Sequence, residues 1–176
     1  MRRRIGGTAL GIAALLLGCH GVDATGRSGM AGRLVDASGQ PIAGQRILSL
    51  EAEGVTGPDG TFSVAWKDPE TAIFFDRDGV HWQRAYRPED KGTVVQVALP
   101  ETETVTVSCG DAQCALELRW AQPNGLRARV RHACEPRGTF EAPLLSGEAE
   151  VRCAKEGSQR QWRLVRDGTA AQVLPR

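Results

Sequence analysis

Apolar and polar residues alternate with a period of two along most of the chain after residue 30. This period is typical of β-strands that bury one face, and Gly, Pro, Asn and Asp separate the segments as turn residues do. No later stretch has a convincing helical period, so the sequence predicts an all-β fold. The predicted strands are Gly32–Asp36, Gln45–Leu50, Ala72–Phe75, Val80–Tyr86, Val94–Leu99, Thr104–Cys109, Cys114–Trp120, Leu126–His132, Ala149–Cys153, Gln161–Val165 and Ala170–Leu174.

Four short segments predict where the chain reverses direction. Thr56–Val64 is predicted to form a hairpin, with the Pro-Asp-Gly sequence at 58–60 as its turn. Asp76–Gly79 is predicted to be the turn between two strands of the first half. Asn124-Gly125 and Asp167-Gly168 predict two hairpins in the second half.

Two motifs in the first half resemble a known domain. The chain reads Gly-x-x-Val-Asp-x-x-Gly-x-Pro-Ile-x-Gly over 32–44 and Thr-x-x-Asp-Gly-x-Phe over 56–62. This order closely resembles the carboxypeptidase regulatory-like domain, a transthyretin-like β-sandwich. The resemblance implies such a sandwich over residues 30–100 and a role as a spacer, folding aid or interaction module. Residues 101–176 are expected to form a second small disulfide-bridged β-region, either a separate sandwich or extra strands on the first.

The N-terminus combines a basic start with a short apolar run. Three arginines at positions 2–4 precede the apolar and small residues of Ile5–Leu17, a run too short to span a bilayer comfortably. The following Leu16-Leu17-Gly18-Cys19 sequence resembles the lipobox of bacterial lipoproteins. The resemblance implies a lipoprotein signal peptide over residues 1–18, cleavage before Cys19 and lipidation of the Cys19 thiol.

Lipidation would make Cys19 the membrane anchor, because no later apolar stretch approaches the ~20 residues of a membrane-spanning helix. We therefore expect an exported protein that is lipid-anchored in the cell envelope. His20 stands where an Asp would resemble an inner-membrane retention signal, which favours the outer membrane. Residues 19–29 are rich in Gly and small polar residues and are predicted to form a flexible tether.

The charge balance bears on possible partners. The chain has 22 basic and 21 acidic residues, and three of the basic residues lie in the predicted signal peptide, which leaves 19 basic residues in the mature chain. A near-neutral chain of this kind is not typical of nucleic-acid-binding proteins, so no nucleic-acid partner is expected.

Four cysteines remain once Cys19 is assigned to lipid, and an even number in an exported protein predicts disulfides. Three pairings are possible. A four-residue loop would set Cys109 opposite Cys114, so we favour Cys109–Cys114 and Cys134–Cys153. The Cys-x4-Cys spacing and the exported location both argue against zinc.

Several residues resemble parts of functional sites. His132 and Glu135 match the H-x-x-E zinc half-site, but they point to opposite faces of a strand and no later histidine completes the site, so a partly buried structural histidine is expected. Asp76–Gly79 resembles the start of a calcium loop but lacks its later ligands, which favours a hairpin turn. Trp82 and Tyr86 form either an exposed aromatic patch or, as we prefer, part of the core. No catalytic residues, metal or cofactor are predicted.

One strand carries a row of outward arginines. Arg127, Arg129 and Arg131 alternate with apolar residues and therefore share a face. This row either binds a phosphate or carboxylate group or is a solvated face that pairs across the sheet with Glu148 and Glu150.

The sequence thus predicts a lipid-anchored cell-envelope protein that acts as a non-catalytic binding or structural module. Its expected partners are the membrane, through the anchor, and an envelope protein or polymer. Two alternatives stay open: a lipoprotein subunit of an envelope or secretion complex, and an envelope hydrolase with an unrecognised carboxylate site.

Overall fold

The computed structural model describes residues 29–50, 52–65, 72–90, 93–154 and 162–175, and these residues form an all-β protein. The predicted all-β fold is therefore confirmed. One short 3-10 helix, Pro88–Asp90, interrupts the strands. The strands are β1 Gly29–Val35, β2 Arg46–Leu48, β3 Glu53–Val55, β4 Thr61–Ala65, β5 Ala72–Arg77, β6 Val80–Ala85, β7 Val94–Ala98, β8 Thr102–Ser108, β9 Cys114–Ala121, β10 Leu126–Cys134, β11 Thr139–Leu145, β12 Glu150–Ala154, β13 Trp162–Asp167 and β14 Ala170–Pro175.

The strands form two sheets. A small sheet has the order β4-β1-β7, with β1 antiparallel to β4 and parallel to β7. A long sheet has the order β11-β8-β14-β13-β12-β9-β10-β6-β5-β2-β3. Buried side chains of both sheets belong to one hydrophobic cluster, so the sheets pack face to face.

The two halves of the chain meet inside the long sheet. β6 and β10 are antiparallel neighbours, with Leu126 opposite Arg84 and Arg129 opposite His81. The second-half strands therefore extend the sheet of the first half, which is one of the two arrangements that the sequence left open.

The second half of the long sheet curls back on itself. Five strand-to-strand steps separate β10 from β8, a distance of about 24 Å on a flat sheet at ~4.8 Å per step. The Cα atoms of Cys134, at the end of β10, and Cys109, just after β8, are nevertheless 5.6 Å apart. The amide of Arg137 donates to the carbonyl of Gly110 at 2.6 Å across the same junction. The strands from β10 round to β11 thus enclose a shared interior.

This curl overturns the predicted disulfide pairing. The bonds are Cys109–Cys134 and Cys114–Cys153. Cys109 and Cys114 do not face each other, because β8 pairs with β11 and β14 whereas β9 pairs with β10 and β12. The 110–113 segment therefore links strands that are not neighbours. The expectation that all four cysteines form disulfides is confirmed.

The predicted hairpin over Thr56–Val64 is confirmed only at its turn. The amide of Gly60 donates to the carbonyl of Gly57 at 2.9 Å, and the amide of Gly57 donates to the carbonyl of Thr61 at 2.7 Å, which closes the turn. The strands on either side belong to different sheets, since β3 pairs with β2 and β4 pairs with β1. The chain crosses from one layer to the other here. The other three predicted turns each join paired strands, β5–β6, β9–β10 and β13–β14.

Strand β11 was not predicted. Phe140, Ala142 and Leu144 alternate inward on it, but Pro143 interrupts the usual strand signal. Proline has no amide proton for a ladder, so it is tolerated where one side of a strand is unpaired. β11 is an edge strand of the long sheet, and this position accommodates Pro143.

The core of the first half contains both aromatic residues whose location the sequence left open. Trp82 and Tyr86 are buried, as we preferred. Arg84 lies on the same inward side of β6, and its guanidinium forms an ion pair with Asp90 at 3.1 Å. Both side chains are at most 10% exposed, so this pair is a charged element inside the protein.

Among the described residues, no helix has the length and apolar character to cross a membrane. Cys19, the predicted signal peptide and nearly all of the predicted tether lie outside the described residues.

Candidate functional site

The outward face of the long sheet is rich in charged residues. On β9 and β10 the apolar side chains turn inward, so the alternating residues Glu117 and Arg119, and Arg127, Arg129 and Arg131, project from the opposite face. The same alternation on β12 places Glu150 and Arg152 on this face. The local sequence therefore determines which side chains are available to the site.

Strand register arranges these residues in rows across the sheet. Glu117 on β9 lies between Arg131 on β10 and Arg152 on β12. In the adjacent row, Arg119 lies between Arg129 and Glu150. Directly opposite positions have Cβ atoms about 5 Å apart, so each row is a set of touching neighbours.

The carboxylate of Glu117 interacts with several of the arginines. Glu117 accepts hydrogen bonds from Arg131, at 2.5 Å, and from Arg119, and a guanidinium nitrogen of Arg129 lies 4.0 Å away. Its side chain is only 11% exposed. Burial by itself raises the pKa of Glu117, but the hydrogen bonds and charges of Arg131 and Arg119 outweigh it and lower that pKa below the ordinary 4.5. Glu117 is therefore held ionised.

A depression of about 610 Å³ opens beside this row. Its basic lining is Arg119, Arg127, Arg129 and Arg152, while Glu148 and Glu150 contribute carboxylates. His81 and Gln83 line it from the first half of the chain. The volume falls within the range of small-molecule sites. The site forms at the β6–β10 contact that joins the two halves.

Two arginines in the depression lack full partners. Among the described residues, Arg127 has neither an ion pair nor a side-chain hydrogen bond. The Nε atom of Arg129 is buried and has no acceptor in the described part of the chain. Arg152, by contrast, donates to Glu150 at 2.7 Å. The unmatched positive charge is thus concentrated at Arg127 and Arg129.

The structure partly separates the three predicted anion-binding residues. Arg127 and Arg129 line the depression, whereas Arg131 is occupied by Glu117 outside it. The predicted pairing of the arginine row with Glu148 and Glu150 across the sheet is wrong for Glu150, because β9 lies between β10 and β12. Glu150 lies opposite Arg119 and bonds Arg152 instead.

Sequence reasoning missed Glu117, Arg119 and Arg152 as members of the site. For the first two a signal was present, since the predicted Asn124-Gly125 hairpin implies that β9 and β10 are neighbours. The register was not predictable from that signal, because a two-residue Asn-Gly turn would set Glu117 opposite His132, whereas the three-residue loop 123–125 sets it opposite Arg131. No local signal places Arg152, because β12 reaches β9 from a distant part of the chain.

The histidine and calcium-loop candidates from the sequence do not form a binding or catalytic site among the described residues. His132 is exposed rather than partly buried, and its ring stacks on Phe140 with centroids 3.8 Å apart. Within the described ranges, no three or more His, Cys, Asp or Glu side chains come together as metal ligands. Asp76–Gly79 forms the predicted turn, with the left-handed φ values of 52° at Asp78 and 77° at Gly79 that a tight hairpin requires.

The chain matches no protein-family model, no curated protein and no solved structure. The resemblances to the lipobox and to the carboxypeptidase regulatory-like domain therefore stay predictions from the residues.

Proposed function

We propose that the protein is an exported, lipid-anchored module of the cell envelope that binds a partner without catalysing a reaction. In this proposal Cys19 carries the lipid, a short tether follows, and the β-domain presents the arginine-lined depression. The location is the outer membrane, and the partner is an envelope protein or polymer.

The observation that carries the proposal is that all four cysteines of the described domain are bridged. Disulfides of this kind form and persist in oxidising compartments and are rare in the bacterial cytoplasm. This agrees with the export that the lipobox-like Leu16-Leu17-Gly18-Cys19 sequence predicts. Two independent features, one at the N-terminus and one in the second half of the chain, thus support export.

The guanidinium groups of the depression support a binding role. Glu117, which lies beside the depression, is unsuited to act as a general acid near neutral pH, because Arg131 and Arg119 lower its pKa and stabilise its ionised form. Fixed guanidinium groups with incomplete partners are instead suited to hold an anionic group.

The anchor is tested in a bacterial host that expresses the full chain and is fed an alkyne analogue of palmitate. We expect the wild-type protein to take up the label and to fractionate with membranes. Cys19→Ala should lose both properties, whereas the matched variant His20→Ala should keep the label. Label retained in Cys19→Ala, or absent from the wild type, would contradict the anchor.

Crosslinking in intact cells followed by affinity purification tests the partner. Recovery of envelope polymer or of one envelope protein supports a binding module. Recovery of a stable membrane complex with fixed stoichiometry would support the alternative role as a subunit of an envelope or secretion complex.

A further inference from the structure

The arginine-lined depression carries more positive charge than its own carboxylates balance. Four guanidinium groups line it, while Glu148 and Glu150 are the two carboxylates in the lining. Glu150 already bonds Arg152. The nearby Glu117 is shared among Arg119, Arg129 and Arg131. The remaining positive charge therefore faces the open space of the depression.

The register places like charges against each other at this point. Arg129 on β10 lies directly opposite Arg119 on β9. Like charges at directly opposite positions of a sheet destabilise it. An anion seated between Arg127 and Arg129 would relieve this repulsion.

The polar groups around the arginines indicate what else the ligand contains. The amide of Gln83 lines the same space and has no side-chain hydrogen bond among the described residues. The Glu150 carboxylate has lone pairs beyond its bond to Arg152. An amide and a carboxylate are the groups that bind hydroxyls, and the volume of about 610 Å³ exceeds what an inorganic anion fills.

We propose that the depression binds a phosphorylated sugar, with Arg127 and Arg129 holding the phosphate and Gln83 and Glu150 holding ring hydroxyls. The planar fork of a guanidinium matches two phosphate oxygens at once, which favours phosphate as the anionic group. This inference rests on the proposed function, since it names the ligand class of the binding module. The phosphate belongs either to a soluble sugar or to the head group of a lipid.

Binding is measured by isothermal titration calorimetry on the full chain in detergent, with glucose 6-phosphate, glucose and inorganic phosphate as probes. We expect glucose 6-phosphate to bind about tenfold or more tightly than phosphate, and glucose to bind much more weakly. Arg127→Gln and Arg129→Gln should each weaken glucose 6-phosphate binding by about tenfold or more. Arg127→Lys keeps the charge but loses the planar fork of the guanidinium, so its affinity for glucose 6-phosphate should lie between those of the wild type and Arg127→Gln.

Arg33→Gln is the matched control, because it removes the same charge from β1 of the small sheet. It should change binding less than twofold. Circular dichroism checks the fold of each variant, and the exposed Arg127 provides a substitution that does not touch the core. An equal loss of affinity for glucose 6-phosphate in Arg33→Gln and Arg127→Gln would contradict the proposed site. Equal affinity of the wild type for phosphate and glucose 6-phosphate would also contradict it.

Vesicles of equal parts phosphatidylcholine and phosphatidylglycerol, tested with the Cys19→Ala full chain so that the anchor cannot insert, separate the two sources of phosphate, and vesicles of phosphatidylcholine alone are the control. Binding to soluble glucose 6-phosphate assigns recognition to the sugar phosphate itself. Binding to these vesicles with none to glucose 6-phosphate would overturn the proposal in favour of a general anionic surface. The Cys19→Ala full chain should bind glucose 6-phosphate like the wild type, so loss of the anchor and loss of this site are distinguishable.

Discussion

Arg129 on β10 lies directly opposite Arg119 on β9, and the carboxylate of Glu117 is the group that both arginines approach. Two like charges at one cross-strand position are unfavourable unless an anion compensates them. Glu117 thus holds together a sheet face that would otherwise repel itself.

Removal of the Glu117 charge should therefore destabilise the fold. We expect Glu117→Gln to lower the free energy of unfolding by about 1–3 kcal/mol, less than for a fully buried pair because its arginine partners are partly exposed. Urea denaturation measures the change. Glu150→Gln, which breaks an exposed pair on the same face, should cost at most about 1 kcal/mol. Equal effects of the two substitutions would contradict the central role of Glu117.

The same carboxylate predicts a pH dependence. Arg131 and Arg119 outweigh burial and lower the pKa of Glu117 below 4.5 in the folded state. At acidic pH the unfolded chain therefore binds more protons than the folded chain. The stability that the ionised Glu117 contributes is fully present above the pKa of a carboxyl in the unfolded chain, and it is lost as the pH falls through the pKa of Glu117 in the folded state. Denaturation measured from pH 7 down to pH 3 should show that the free energy of unfolding decreases less on acidification for Glu117→Gln than for the wild type. An unchanged pH profile would count against the arrangement.

The buried pair of Arg84 and Asp90 should be sensitive to loss of one partner. Asp90→Asn leaves the Arg84 guanidinium in a site where its side chain is 7% exposed. We expect a loss of about 3–5 kcal/mol, because an uncompensated charge then stays buried. Thermal and urea unfolding measure it. The exposed pair of Arg46 and Glu53 is the control, and Glu53→Gln should cost at most about 1 kcal/mol.

The disulfide pairing has a direct chemical test. Trypsin leaves Cys109 and Cys114 on one peptide and places Cys134 and Cys153 on two others. Non-reducing digestion should therefore release one species of three linked peptides. Further cleavage before Asp111 should separate it into two linked pairs, one with Cys109 and one with Cys114. A Cys109–Cys114 bond would instead leave the first peptide unlinked to the others.

The two bonds should also contribute similar stability. They close loops with sequence separations of 25 and 39 residues, which correspond to about 3.5 and about 4 kcal/mol in the chain-entropy model. Replacement of both cysteines of a pair by Ala, followed by denaturation under non-reducing conditions, measures each contribution. A negligible cost for either pair would contradict its formation in the native protein.

Gly32 should resist substitution because Phe62 packs across it. A Cβ at position 32 would lie 2.6 Å from Cε1 of the buried Phe62 ring. We expect Gly32→Ala to cost about 1–3 kcal/mol through overpacking. Phe62→Leu should relieve the clash, so the double substitution should be less harmful than the sum of the two single ones. Strict additivity in a double-mutant cycle would show that the clash is absent.

Much of the local structure follows from the residues themselves. The alternation of Val105 and Val107, or of Leu116 and Leu118, predicts both a strand and its buried face, because side chains of a strand alternate whatever its neighbours are. For the same reason the outward row of Arg127, Arg129 and Arg131 was predictable. The site as a whole was not, since Arg152 joins it from β12, a strand far away in sequence.

The all-β character of the chain, its turns, the inward and outward faces of its strands and the participation of four cysteines in disulfides all follow from the residues alone. Long-range packing sets the pairing of Cys109 with Cys134, the ion pairs of Glu117 with the arginines, and the contact of β6 with β10. The difference arises because alternation is a local property of each strand. Strand order and partners depend on long-range packing, and identical faces are compatible with many orders.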